Sequence, residues 1–200
     1  EHGLGKGEMD LGYFTPESKH WRSYKNAVAA GGNFAIANRL LIGRAVAAAF
    51  AEALGGAAEL FYEISHNLVQ EEQHPDLYPR PVWVHRKGAT RALPAGHPML
   101  SGTRWERTGH PVLIPGSMGD LSYVLRPRPG AARAIYSVNH GCGRRKSRSA
   151  ARREISQAQA DQRMRQLGVL VNAGGSVPVD ESPECYKSAE EVVRAHPWER

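Results

Sequence analysis

Apolar residues recur along this chain at two spacings, and each change of spacing predicts a change of element. Over residues 18–54, alanines and aliphatics return every three or four positions, the period of a helix face. Ser18 is the expected cap, Gly31-Gly32 the expected break, and Gly55-Gly56 the stop. Short strands are expected at 60–64, 82–84, 112–114, 123–125, 134–138 and 168–172. Residues 90–110 read as a long surface loop punctuated by proline and glycine, and 126–133 as a linker or hairpin loop. A charged amphipathic helix over 147–167 ends at Gly168, and a last helix covers 188–195. The strands tend to end at polar blocks. That pattern predicts one α+β domain over residues 1–200, a mixed sheet with flanking helices whose loops converge on one site.

Composition narrows the class. The chain has 200 residues, 41% hydrophobic and 23% charged, as a soluble globular domain does. The most apolar stretch, 45–56, is alanine-rich and broken by Glu52, so no membrane association is expected. Two cysteines, Cys142 and Cys185, suit a reducing, cytoplasmic location. No signal peptide is visible at Glu1, and without an initiating methionine the sequence reads as cut from something longer. A net charge of +6 favours a polyanionic partner. The charge is clustered, with six basic residues among the ten from Arg144 to Arg153.

The most informative stretch runs from Ser137 to Arg148. An apolar run ends there, His140 precedes Gly141 and Gly143, and a basic segment opens what reads as a helix start. Glycines allow close backbone approach and present amides to an anion, while a helix start and arginines add positive potential. A histidine so placed is a candidate nucleophile toward phosphorus. By itself the pattern also fits an ordinary turn, and both readings stand at this point.

Five further blocks accompany it in order: GNFAIANR at 32–39, SHN at 65–67, VHRKGATRA at 84–92, IPGSMGDLSYVL at 114–125 and DESPECYK at 180–187. Together the six blocks resemble the RtcB family of GTP-dependent RNA-splicing ligases, in register over nearly the whole chain. The resemblance implies an RtcB-like fold, incomplete here as the C-terminal portion of a catalytic domain. It implies that His140 is the residue guanylylated by GTP, that His66 is a manganese (Mn2+) ligand, and that Asn67 contacts the nucleotide. Guanylate contacts map onto Pro115, Gly116, Ser117, Met118 and Ser122, with Gly141, Cys142 and Gly143 wrapping the phosphate. Cys142 departs from the small residue, usually alanine, of the family, and a thiol there opens the site to oxidation.

The remaining metal ligands of the family lie upstream of GNFAIANR, and its guanylate-contacting lysine lies in a terminal tail. Lys187 therefore takes a structural reading. Arg86, Lys87, Arg144 and Arg148 are candidates for the RNA backbone, because guanidinium groups hold phosphates in bidentate fashion. Arg152, Arg153 and Arg163 read as a solvated helix face, Asn33, Asn38 and Arg39 as packing elements, and His74, His97 and His110 as solvated.

The expected activity joins an RNA 3′-phosphate or 2′,3′-cyclic phosphate end to a 5′-hydroxyl end through a histidine–GMP intermediate, with an accessory activator as a further partner. LGYFTPES and GNFAIANR are similar to a bacterial subgroup associated with a release-factor homologue, which implies RNA repair over tRNA splicing. The competing expectation is an inactive nucleotide- or RNA-binding fragment lacking the N-terminal metal ligands.

Overall fold

The computed structural model describes residues 12–171 and 176–196. Among them are four α-helices and six short strands joined by 3-10 turns, an α+β arrangement. The strands pair two by two into three separate ribbons, in place of the single mixed sheet expected. The chain divides into two compact units: Glu1–Glu71 with Trp83–His85, and Glu72–Val82 with Arg86–Arg200.

The first unit is dominated by α1 (Trp21–Leu54), which runs without interruption. Gly31-Gly32 does not break it. Gly32 is buried, and a Cβ there would lie 2.7 Å from the Leu68 side chain, so the glycine allows a close approach. His20, not Ser18, occupies the cap position, and the Ser18 hydroxyl accepts the His20 amide. Gly55 ends the helix as expected, left-handed at φ 68°, its amide donating to Ala51. Residues 60–64 form no strand. Arg39 instead clamps this segment, donating through Nε to Glu63 at 2.7 Å and through Nη2 to the Ser65 hydroxyl at 2.9 Å. The extended chain is thus held by side chains, and β1 (Asn67–Glu72) starts after it and pairs with β2 (Val82–Lys87).

Much of α1 is exposed, including Phe34, Leu41, Ile42 and Phe50. An 18-residue window reaches a mean hydropathy of 1.5, so α1 is by length and composition apolar enough to cross a bilayer, a property the broken stretch 45–56 did not reveal. Arg39 and Arg44 lie within the helix, and charges at bilayer depth are costly.

In the second unit, β3 (Ala89–Arg91) pairs antiparallel with β6 (Ser137–Asn139), Thr90 opposite Val138. β4 (Val112–Ile114) pairs with β5 (Tyr123–Leu125), Leu113 opposite Val124. Leu93, Leu100, Val112, Ile114 and Val138 form the core with Ala189 of the terminal helix Ala189–Arg194. Residues 90–110 are therefore not a surface loop, since they supply Ala92, Leu93 and Leu100 to that core. The expected strand over 134–138 begins only at Ser137. Ile135 and Tyr136 adopt φ of 50° and 48°, and they close the 3-10 turn Pro129–Ala134. The expected helix over 147–167 is two helices, α2 (Arg148–Glu154) and α3 (Gln157–Gln166). Ser156 and Gln159 form a reciprocal capping box that restarts the chain as α3, and the terminal helix is α4. Val169 and Val171 form no strand but pack beside Ala160, Met164 and Val177. Asn172, the last residue of that expected strand, and residues 1–11 lie outside the described residues.

His74, His97 and His110 are buried, which corrects their solvated reading. The Met99 amide donates to His97 Nδ1, fixing the neutral ring's proton on Nε2, which faces His74 Nδ1 at 3.2 Å. His74 Nε2 in turn faces Glu72 Oε2 at 2.8 Å. Both Glu72 oxygens accept from Arg86 Nη1 and Nη2. Tyr136 stacks on His74 and donates its hydroxyl to Asp76, and burial together with that carboxylate pushes the phenol up to about 12. Each ring nitrogen and carboxylate oxygen in this series from Met99 to Arg86 has a partner, as buried polar groups require.

Candidate active site

Two ribbons deliver the site. β6 carries the chain out of the core at Asn139, and the His140 amide donates to the Gly88 carbonyl at 3.2 Å, holding the β3 and β6 ends together. Gly88 is left-handed at φ 68°, and a Cβ there would lie 3.4 Å from His140 Cδ2 and 3.5 Å from Nε2. His140 is exposed, standing beside that glycine and not buried against aliphatics.

The hairpin loop 115–122 joins β4 to β5. The Gly116 amide donates to the Ser122 hydroxyl at 3.1 Å, and Asp120 closes the turn onto the Ser117 carbonyl. A Cβ on Gly116 would overlap the Leu121 carbonyl oxygen at 2.1 Å, so the turn demands glycine. Asp120 Oδ2 also accepts the Ala189 amide at 2.9 Å, anchoring the loop to the start of α4.

These loops face one another across a pocket of about 450 Å3. Pro115, Gly116, Ser117 and Met118 line one side, and His140, Gly141, Cys142 and Gly143 the other. Arg144, Arg148, Glu181 and Tyr186 complete it. Ser122 sits behind the loop, through its bond to Gly116. His140 and its glycines also border a second recess of about 420 Å3 with Lys187 and Glu191.

The cationic residues divide. Arg86 is buried in its ion pair with Glu72 and donates through Nε to Ser137, so it supports β6 from within and is not displayed to a phosphate backbone. Arg144 is largely engaged, giving Nε to the Lys146 carbonyl, Nη1 to the Tyr186 hydroxyl and Nη2 to the Asp180 carbonyl. Its guanidinium also stacks over the Tyr186 ring at 4.7 Å. Arg148 is 68% exposed and only loosely held by Asp180 and Glu181. Lys87 is exposed at the end of β2, one residue before Gly88. Helix α2 begins at Arg148, several residues past the glycines, and its Ala150 amide is taken by the Ser147 cap, so no helix start opens on Gly141 to Gly143.

His66 and Asn67 belong to the first unit, at the entry to β1. No group of three or more His, Cys, Asp or Glu side chains suited to a metal occurs among the described residues. His66 is one imidazole, and the residues described do not fit a metal site.

The sequence reading missed Glu181, Tyr186 and Gly88. Glu181 and Tyr186 come from DESPECYK, where the bridge between Arg144 and Tyr186 and the bond from the Lys187 amide to Gly143 fold that block against the glycine loop. The signal was the block itself, which reads as a plain turn until its partner is known.

Comparison with known proteins places the chain in a family. The family described as tRNA-splicing ligase RtcB matches residues 2–197. The chain belongs to the RtcB family. It is 39% identical over 196 residues to the RNA-splicing ligase RtcB of Mycobacterium tuberculosis, covering 97% of this chain and 45% of that relative. The tRNA-splicing ligase RtcB of Nanoarchaeum equitans is 38% identical over 195 residues, 94% of this chain and 41% of the relative. That of Thermococcus kodakarensis is 40% identical over 186 residues, 89% of this chain and 38% of the relative. The chain thus spans less than half the length of these RtcB relatives.

Proposed function

We propose that this RtcB chain takes part in RNA ligation, with His140 as the nucleophile that carries GMP from GTP to an RNA end. The observation that carries the reading is the shared pocket of His140 and the loop at Gly116 and Ser117. A purine nucleotide held by the loop 115–118 places its phosphate toward the histidine and its glycines.

The chemistry follows from those residues. An imidazole nitrogen of His140 forms a bond to the α-phosphorus of GTP, the bond to the β-phosphate oxygen breaks, and pyrophosphate leaves. An oxygen of the RNA 3′-phosphate then attacks the same phosphorus, and the nitrogen–phosphorus bond breaks to return the imidazole. Finally the 5′-hydroxyl attacks the activated RNA phosphate, losing its proton as GMP departs. Gly88 leaves room beside the His140 ring, and Arg148 is free enough to meet a phosphate. Positioning and fixed charge supply the acceleration in phosphoryl transfer of this kind. Manganese is part of the reading through the family resemblance alone, and no step is assigned to it.

The test is incubation with GTP radiolabelled at the α-phosphate, in buffer containing manganese, followed by a denaturing gel. Label on the wild-type chain and none on His140→Ala is the expected result. Label retained by His140→Ala overturns the nucleophile, and RNA binding without any label overturns catalysis in favour of binding alone.

A further inference from the structure

The first unit holds an aromatic recess that nucleotide transfer at His140 does not use. Tyr13, Phe14, Trp21, Tyr24, Trp83 and His85 line a cavity of about 370 Å3, within the roughly 300–1,000 Å3 of ligand sites. The sequence builds it from two periods. Trp21, Tyr24 and Lys25 fall three and four residues apart on the first turns of α1. Trp83 and His85 alternate along β2 with the buried Val84 and Arg86, so both point away from the core.

The rings are positioned by one another. Trp21 meets Trp83 edge-on with centroids 5.3 Å apart, and Tyr24 runs within 16° of parallel to His85 at 6.5 Å. Phe14 leans on Tyr24 at 5.7 Å. The Lys25 ammonium sits 4.4 Å from the Trp83 centroid. Tyr13 is 62% exposed, and Phe14 and Trp83 are each 36% exposed. Between Tyr13 and Ala51 the sequence has one acidic residue, Glu17, against Lys19, Arg22, Lys25, Arg39 and Arg44.

We propose that this recess stacks unpaired nucleobases of an RNA strand, while Lys19, Arg22 and Lys25 neutralise the adjoining phosphates. The choice of RNA rests on the ligase reading above. Aromatic faces interleaved with cations are how single strands are held without sequence preference, since every base offers a π face. A proline-rich peptide also suits an aromatic groove, but it carries no phosphates for the cations to neutralise.

The experiment uses the full chain and a fluorescent single-stranded RNA with a 3′-phosphate. Affinity is measured by anisotropy for wild type, Trp83→Ala, Trp83→Phe and Lys25→Met, and the RNA is separately photocrosslinked through 5-iodouridine. Trp83→Ala is expected to weaken binding about tenfold, with Trp83→Phe restoring most of it. Lys25→Met is expected to lower the salt slope of binding by about one. Crosslinks are expected at Tyr24 or Trp83. Unchanged affinity in a folded Trp83→Ala protein, crosslinks confined to other residues, or displacement of RNA by a proline-rich peptide would each overturn the proposal. If Trp83→Ala does not fold, the wild-type crosslink map decides. His140→Ala is titrated in parallel. RNA binding there that still depends on Trp83 upholds the recess even if guanylylation fails, and normal guanylylation with no dependence on Trp83 removes the recess alone.

Discussion

The Cys142 thiol donates to the Pro115 carbonyl oxygen across 3.3 Å. One contact thereby joins the loop that follows β6 to the loop that follows β4, the two walls of the His140 pocket. Cys142 is 6% exposed, and burial, with the Asp120 carboxylate nearby, pushes its thiol up. Cys142 is thus a tie between loops, held protonated.

A protonated, buried thiol reacts slowly. Iodoacetamide labelling at pH 8, followed by mass spectrometry, is expected to modify Cys142 far more slowly in the native chain than in urea. Cys142→Ala is expected to cost about 1 kcal/mol of stability and to leave guanylylation within a few-fold of wild type. A larger loss of labelling with GTP would show that the tie sets the pocket's width.

Two glycines control that pocket in different ways. Gly116→Ala drives a Cβ into the Leu121 carbonyl, so the loop 115–122 must reshape. GTP affinity, measured by calorimetry, is expected to fall at least about tenfold, about 1.4 kcal/mol. Gly88→Ala meets His140 only at contact distance but must adopt φ 68°, at a cost of about 1–2 kcal/mol. Its expected signature is a slower rate of His140 labelling with GTP affinity retained.

Arg86 and Glu72 form a buried pair, with 5% and 0% of their side chains exposed. Burial alone raises the Glu72 carboxyl, yet the Arg86 and His74 contacts outweigh it and hold the group below its usual range. That stability is present above the ordinary carboxylate range and is lost as pH falls through the lowered value. Glu72→Gln or Arg86→Met leaves one charge buried alone, with an expected loss of about 3–5 kcal/mol in chemical denaturation. Arg86→Lys is expected to rescue little, because one ammonium cannot serve both Glu72 oxygens and Ser137 together.

His110 accepts the Leu93 amide at Nε2 and donates from Nδ1 to the Pro111 carbonyl, so it is built in neutral. Burial lowers its pKa from 6.5 to about 4. The unfolded chain takes up a proton between those values and the folded chain does not, so stability falls as pH drops from 6.5 toward 4. The loss approaches about 3 kcal/mol, and burial lowers His97 in the same direction. His110→Gln is expected to flatten the dependence of the denaturation midpoint on pH across that window.

The parts of the fold legible in the sequence were those set by local pattern. Gly55 stops α1, and strands 112–114 and 123–125 stand where the apolar triplets put them around a turn of glycine and proline. What misled was composition read without partners. Residues 90–110 look like a surface loop, yet Leu93 and Leu100 are core and His97 and His110 are satisfied internally. Arg86 looked like a phosphate ligand because its partner, Glu72, lies fourteen positions away on another strand. At the site, the blocks around His140 and Gly116 were recognisable and do share a pocket, whereas Tyr186 and Glu181 entered only through long-range pairing with Arg144.

Helix α1 leaves Phe34 at 75% exposure and Leu41 at 62%, with Ile42 and Phe50 above half. Water in contact with so much hydrocarbon sets a solubility ceiling that the chain's positive charge cannot lift, because like-charge repulsion is screened within about 8 Å at physiological salt. A purified sample is therefore expected to scatter light increasingly as it is concentrated. Mild detergent should clear it, and lowering the salt, which lengthens the range of the charge repulsion, should reduce the scattering in part.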